Sequence, residues 1–119
     1  MTDIEKNKAV IHRFWHAIAS RDVDAYLATF APGAVARDPV SQPPLETEAQ
    51  RRAYLEGILG GLDDIRVSID FLTSCGDHTA SKWTVKAKSA ADGSDVVLEG
   101  IDTARHGEDG LIVELYGYF

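Results

Sequence analysis

Gly60-Gly61-Leu62-Asp63-Asp64-Ile65-Arg66-Val67-Ser68-Ile69-Asp70-Phe71 is the stretch in which the hydrophobic period of the chain changes from 3.6 residues to 2. Before it, apolar residues recur at helical spacing. After it, Ile65, Val67, Ile69 and Phe71 alternate with Arg66, Ser68 and Asp70, the pattern of a strand with one wet face. The glycine pair ends the preceding helix, because a helix C-terminus favours a residue without a Cβ. A helical half followed by an antiparallel half is an α+β pattern.

Working back from the glycines, a helix opens at Glu46-Thr47-Glu48, whose acidic first turn complements the positive end of the helix dipole. It runs to about Leu59, with Tyr54, Leu55 and Ile58 as its apolar stripe and Arg51, Arg52 and Glu56 expected outward. Residues 4 to 19 place Val10, Ile11, Phe14 and Ile18 on one arc with Asn7, and His12 and His16 on the other. Histidines at i, i+4 can hold a metal, but a third ligand and the glutamate of a zincin are missing, so they read as surface or dimer-contact residues and no metal is expected. Asp22 caps a second helix expected over Val23 to Phe30, burying Tyr26, Leu27 and Phe30, until Ala31-Pro32-Gly33 stops it.

Between the second and third helices lies a short apolar strand, Val35-Ala36-Arg37-Asp38-Pro39-Val40. The Asp-Pro step favours extended backbone at Asp38 and removes the next amide donor, so the strand ends with a carboxylate at its mouth. Ser41-Gln42-Pro43-Pro44 then reads as a loop closing over that mouth. A carboxylate facing a cavity from an apolar strand has its pKa raised by desolvation, towards the range of a general base. The alternative is an aspartate that caps the Pro39-Val40 turn or pairs with Arg37.

Working forward, residues 79 to 90 set Trp83, Val85 and Ala87 against Lys82, Thr84, Lys86 and Lys88. Ala91-Asp92-Gly93-Ser94 is a hairpin turn. The strand from Asp95 to His106 carries Leu98, Gly100, Asp102 and Ala104 on one face and Val97, Glu99 and Ile101 on the other. After the turn Gly107-Glu108-Asp109-Gly110, a last strand spans Leu111 to Phe119, and Tyr116-Gly117-Tyr118-Phe119 closes the pocket or forms a dimer surface. His78 and His106 sit at turns and read as solvated. A curved sheet wrapped by helices leaves a cone with one open end, a concavity suited to small molecules.

At 119 residues the chain is expected to form one domain. Its net charge of -7, from 19 acidic and 12 basic residues, disfavours nucleic acid and anionic membranes as partners. No apolar run approaches the roughly 18 to 20 residues of a membrane span, so a cytoplasmic protein is expected. Cys75 is the single cysteine, which excludes an internal disulfide and makes a thiolate metal cage implausible.

The element order, together with Arg37-Asp38-Pro39-Val40 and Gly100-Ile101-Asp102, resembles the NTF2-like superfamily, and within it the ketosteroid isomerase-like and SnoaL-like polyketide cyclase branch. Over the stretch from Phe14 to Val40, the spacing of Asp22, Phe30, Asp38, Pro39 and Val40 resembles that of bacterial steroid isomerases. The resemblance covers residues 1–119 and implies an α+β cone, three N-terminal helices packed on a strongly curved, mostly antiparallel sheet enclosing a pocket. It implies no cofactor, a small apolar molecule as partner, and a homodimer.

Residue by residue, the resemblance implies that Asp38 is a general base moving a proton from a carbon beside a carbonyl. Asp102 matches the aspartic acid that stays protonated in an apolar site and donates to the developing enolate oxygen, the chemistry for which ketosteroid isomerase is known. Tyr54 matches a supporting tyrosine, and Trp83 and Val85 match pocket walls. Phe14, Tyr26, Phe30, Val40, Ile58 and Phe71 complete the expected substrate-binding set. Phe14 stands where the isomerases carry their principal oxyanion tyrosine, and a phenyl ring cannot donate a hydrogen bond. The expected function is therefore cofactor-independent acid/base chemistry, isomerase or aldol-type cyclase, rather than authentic steroid isomerisation. The alternatives are a non-catalytic ligand-binding or dimerisation module and, ranked lower, an epoxide hydrolase. The last needs Arg and Asn beside its aspartates, whereas Arg37 should point away from Asp38 and Asn7 is the only asparagine.

Overall fold

The computed structural model describes residues 3–119. Three helices, α1 (Ile4–Ala19), α2 (Val23–Leu27) and α3 (Glu48–Gly61), pack on one face of a five-stranded sheet made of β1 (Phe30–Arg37), β2 (Leu62–Cys75), β3 (His78–Ser89), β4 (Asp95–His106) and β5 (Ile112–Tyr118). The strand order is β1-β5-β4-β3-β2, an antiparallel meander from β2 to β5 with β1 added parallel to β5. Curved, unclosed and backed by helices, it is the expected α+β cone.

Local chemistry sets the helix ends. Asp3 accepts from the Lys6 amide at 3.1 Å and Asp22 from the Ala25 amide at 3.0 Å, each satisfying a donor left free in a first turn. Thr47 and Gln50 form a reciprocal capping box at the start of α3. At its other end the Arg21 guanidinium donates to the carbonyls of Leu59 at 2.5 Å and Leu62 at 2.9 Å, so the α1–α2 corner holds the point at which helix gives way to strand. The core is a layer of apolar side chains between helices and sheet, with Val10, Phe14, Tyr26, Leu55, Ile112 and Leu115 completely enclosed.

Four expectations are corrected. The second helix stops at Leu27 instead of reaching Phe30, which opens β1, and Ala31-Pro32-Gly33 lies within that strand as an irregularity between Phe30 and Val35. Pro32 is tolerated there because β1 is an edge strand, where a missing N–H leaves no ladder bond broken. Arg51, expected outward, is only 5% exposed: it donates to the Ala34 carbonyl at 2.7 Å and lies 5.0 Å from the centre of the Phe30 ring. His106, expected in solvent, is buried between the Thr79 hydroxyl at 2.8 Å and the Gly110 carbonyl at 2.7 Å.

The fourth concerns Phe71. The β2–β3 register slips between Ile69, opposite Trp83, and Phe71, opposite Lys82, so strict alternation fails at this point. A bulge adds one residue and reverses the face of everything beyond it. Phe71 therefore turns outward, 64% exposed, and Leu72 packs on the core in its place. His12 and His16 are exposed on α1 as expected, and no helix among the described residues is long and apolar enough to cross a membrane.

Candidate active site

Asp38 directly follows β1, and its place is fixed by backbone pairing on two sides. Arg37 is in register with Tyr116 of β5, and one step on, the Val40 amide donates to the Gly117 carbonyl at 2.9 Å. On the other edge of β1, Ala36 and Leu45 exchange two bonds of 3.0 and 2.7 Å, folding the proline-rich loop back over the strand end. The Asp38–Pro39 peptide is cis. On the far side of β5, Asp102 of β4 is in register with Gly117. Asp38, Gly117 and Asp102 thus form a row across the sheet.

Gly117 is the centre of that row. A Cβ placed on it would collide with Asp38 Oδ1 and lie 3.2 Å from Asp102 Oδ1, so both carboxyl groups are reached from one methyl-sized position. The two groups titrate as a pair. Burial pushes Asp38 from 3.8 up to about 6, opposed by hydrogen bonding from the Tyr54 hydroxyl. Burial first, and then the charge of Asp38, push Asp102 up to about 8, opposed by the Trp83 indole N–H, which donates to Asp102 Oδ1 at 3.1 Å. Two carboxylates this close cannot both ionise easily, so near neutral pH the pair keeps one proton, held on the Asp102 side.

An apolar cavity of about 70 Å³ opens beside Asp38. Of the expected residues, Phe14, Tyr54, Ile58, Trp83 and Val85 line it together with Asp38. Asp102 does not: it is 4% exposed, behind Trp83 and across Gly117. Tyr26 and Phe30 are core residues whose rings meet edge-to-face at 5.3 Å behind Phe14, Val40 acts through its backbone amide, and Phe71 is on the opposite face. The Tyr26 hydroxyl is buried without a hydrogen-bond partner among the described residues, and burial with the nearby charges of Asp38 and Asp102 keeps it firmly protonated.

Sequence reasoning did not place Trp15, Ile18, Leu62, Ile65 and Leu98 in the cavity wall, whereas Phe119, of the terminal segment expected to close the pocket or form a dimer surface, does line it. Helical spacing could have found Trp15 and Ile18, which lie one position and one turn from Phe14. Arg37 is exposed, and Asn7 is buried on α1 outside the cavity wall, so the arginine and asparagine of an epoxide-hydrolase network do not come to Asp38.

The fold has close relatives among solved structures. SalBIII, an epoxide hydrolase/cyclase-like enzyme of pyran ring formation in the polyether salinomycin, superposes with a TM-score of 0.86 at 20% identity over 99% of this chain and 93% of that one. AclR from Streptomyces galilaeus gives 0.84 at 19% identity over 97% and 75% of the two chains. RV0760c from Mycobacterium tuberculosis gives 0.84 at 18% over 100% and 94%. No curated protein matches the chain. The family model of the SnoaL-like domain matches residues 11–115, a span that holds both aspartates and most of the cavity wall. On that match and on its fold, the chain belongs to the SnoaL-like domain family of the NTF2-like superfamily.

Proposed function

We propose that this protein is a cofactor-independent acid/base enzyme acting on a small, largely apolar carbonyl compound, with Asp38 as its general base. The observation that carries this reading is the position of the carboxyl pair: Asp38 lines an apolar cavity, and Asp102, buried beside it, takes the proton that would otherwise suppress the Asp38 charge. An ionised Asp38 removes a proton from the carbon beside a carbonyl, and the C–H electron pair moves into an enolate. Returning that proton to another carbon completes an isomerisation. If the enolate carbon attacks a second carbonyl in the same molecule, a ring closes, and the proton held by Asp38 goes to the new alkoxide. A base whose pKa lies near working pH contributes on the order of 10² to 10⁴ in rate.

Asp102, whose proton is held by burial and by the charge of Asp38, stands outside the cavity wall and is a positioning residue. Tyr54, which lines the cavity beside Asp38 and whose hydroxyl favours the ionised carboxylate, is the hydroxyl best situated to orient the base. SalBIII, the cyclase-like structural relative, supports ring closure as one form of this chemistry. A non-catalytic binding module would keep the cavity with Asp38 turned out or locked by Arg37. Asp38 instead faces the cavity, and Arg37 is exposed without an acidic partner among the described residues.

The test is exchange of α-protons with solvent deuterium in a panel of enones and 1,3-diketones, followed by NMR. Exchange by the wild-type protein that falls at least about 100-fold in Asp38→Asn supports the base. Equal exchange in the two proteins removes it.

A further inference from the structure

Phe119, immediately after β5, is the half-exposed member of a buried aromatic set: its ring lies edge-on to Trp83 at 5.4 Å, it lines the cavity, and it remains 52% exposed. The backbone around it is cleared of side chains. A Cβ on Gly117 would lie 2.9 Å from Phe119 Cε1, and one on Gly100 would lie 2.8 Å from Phe119 Cβ and 2.7 Å from Trp83 Cζ2. Two glycines on neighbouring strands thus form a slot in which the ring sits against Trp83, within reach of the position that touches both carboxyl groups.

The cavity beside this slot, about 70 Å³, is smaller than the roughly 150 Å³ engineered void that takes a benzene molecule. Of its other aromatic walls, Phe14, Trp15 and Trp83 are locked in the core, at 2%, 8% and 3% exposure. Phe119, at 52%, is the most exposed aromatic of the wall, with Tyr54 half-buried and the aliphatic Leu98 at 42%, and an exposed side chain changes rotamer without unpacking the core.

The geometry points to Phe119 as the size gate of the cavity: its ring occupies the place of a ligand ring, so that a flat cyclic ketone binds by displacing Phe119, stacks on Trp83 and brings its carbonyl to Asp38. This deepens the proposed function, resting on its reading of the cavity as a ligand site. The slot suits a ligand with at least one planar ring, and a short acyclic ketone gains nothing from it. Because the ring also shields the carboxyl pair, its removal admits water to Asp38 and Asp102, with Tyr54 and Tyr26 the other titratable groups around them.

The experiment measures binding of 1-tetralone and of 2-butanone to wild type, Phe119→Ala and Phe119→Trp through the fluorescence of Trp15 and Trp83, with the Asp38 and Asp102 titrations read by carboxyl-carbon NMR. A self-occupied site lowers apparent affinity by the fraction of time it is vacant. The expected result is 1-tetralone affinity at least tenfold higher in Phe119→Ala and lower in Phe119→Trp, with 2-butanone unchanged. Both carboxyl midpoints fall in Phe119→Ala and rise again when 1-tetralone is added. Unchanged 1-tetralone affinity in Phe119→Ala overturns the gate, whatever the titrations do. Tighter binding without any α-proton exchange keeps the gate and removes the acid/base reading; Asp38-dependent exchange with no effect of Phe119 does the reverse.

Discussion

Asp38, just past the end of β1, and Asp102 of β4 meet across the bare backbone of Gly117, where the position of a side-chain methyl is already taken by an Asp38 carboxyl oxygen and lies 3.2 Å from one of Asp102. Most of the site's chemistry follows from that contact. Burial alone would raise either group; proximity makes them share a proton and separates an ionisable base from a neutral neighbour.

Gly117→Ala puts a methyl at that position. The new Cβ collides with Asp38 Oδ1, so the strand end must shift or the carboxylate must rotate out of the cavity. Overpacking of this kind costs about 1 to 3 kcal/mol, read as a lower denaturation midpoint at unchanged m-value. Asp38 loses its raised titration in the same variant. Gly57→Ala, inside α3 with open space around its Cβ position, is the control: it leaves the Asp38 titration as it was and raises stability by about 0.5 to 1 kcal/mol, the opposite sign.

The pH dependence of stability has a defined sign. Both carboxyl groups bind protons more tightly folded than unfolded, so their contribution is complete below pH 4 and is lost as pH rises through about 6 and about 8. Asp102→Asn replaces the group that is costliest to ionise with a neutral isostere. Relative to wild type, this variant gains stability with rising pH, on the order of 4 kcal/mol between pH 5 and 8. Paired urea titrations across that range measure the difference, and a difference independent of pH refutes it.

Trp83→Phe keeps a ring in the wall and deletes the donor to Asp102 Oδ1. The indole bond holds the Asp102 pKa down, so the variant titrates Asp102 higher still and loses about 1 kcal/mol of stability. Carboxyl-carbon NMR reads the first effect and chemical denaturation the second.

Arg51→Ala strips a buried guanidinium from the Ala34 carbonyl and the Phe30 ring, leaving both a void and an unpaired acceptor. The expected loss is about 2 to 4 kcal/mol, by thermal or urea unfolding, with the Asp38 and Asp102 titrations unmoved. Arg51→Lys recovers part of it, since an ammonium reaches a carbonyl but does not stack as a planar fork does.

Much was legible in the chain itself. Periodicity located α1, α3 and the meander, Asp22 announced its cap, and alternation put Asp102 on the inner face with Ala104 while Glu99 faced out. These are local effects, settled by propensity, capping and the period of each segment. The aspartates were identifiable as a pair through the resemblance and the Asp-Pro strand end.

The tertiary structure decided what no local pattern encodes. Phe71 lies outside because a bulge between β2 and β3 resets the alternation, and bulges are set by pairing with a partner strand. Arg51 is inside because β1 brings it a carbonyl and a ring from far along the chain. Phe119 reaches the cavity only through the slot made by Gly100 and Gly117. Asp38 and Asp102 likewise acquire their altered acidity from burial, to which the charge of Asp38 adds for Asp102. The sequence by itself determined the elements and which face of most of them is apolar. Which side chains then share a few cubic ångströms was decided by strand register, because proximity between residues distant in sequence exists only once the sheet has formed.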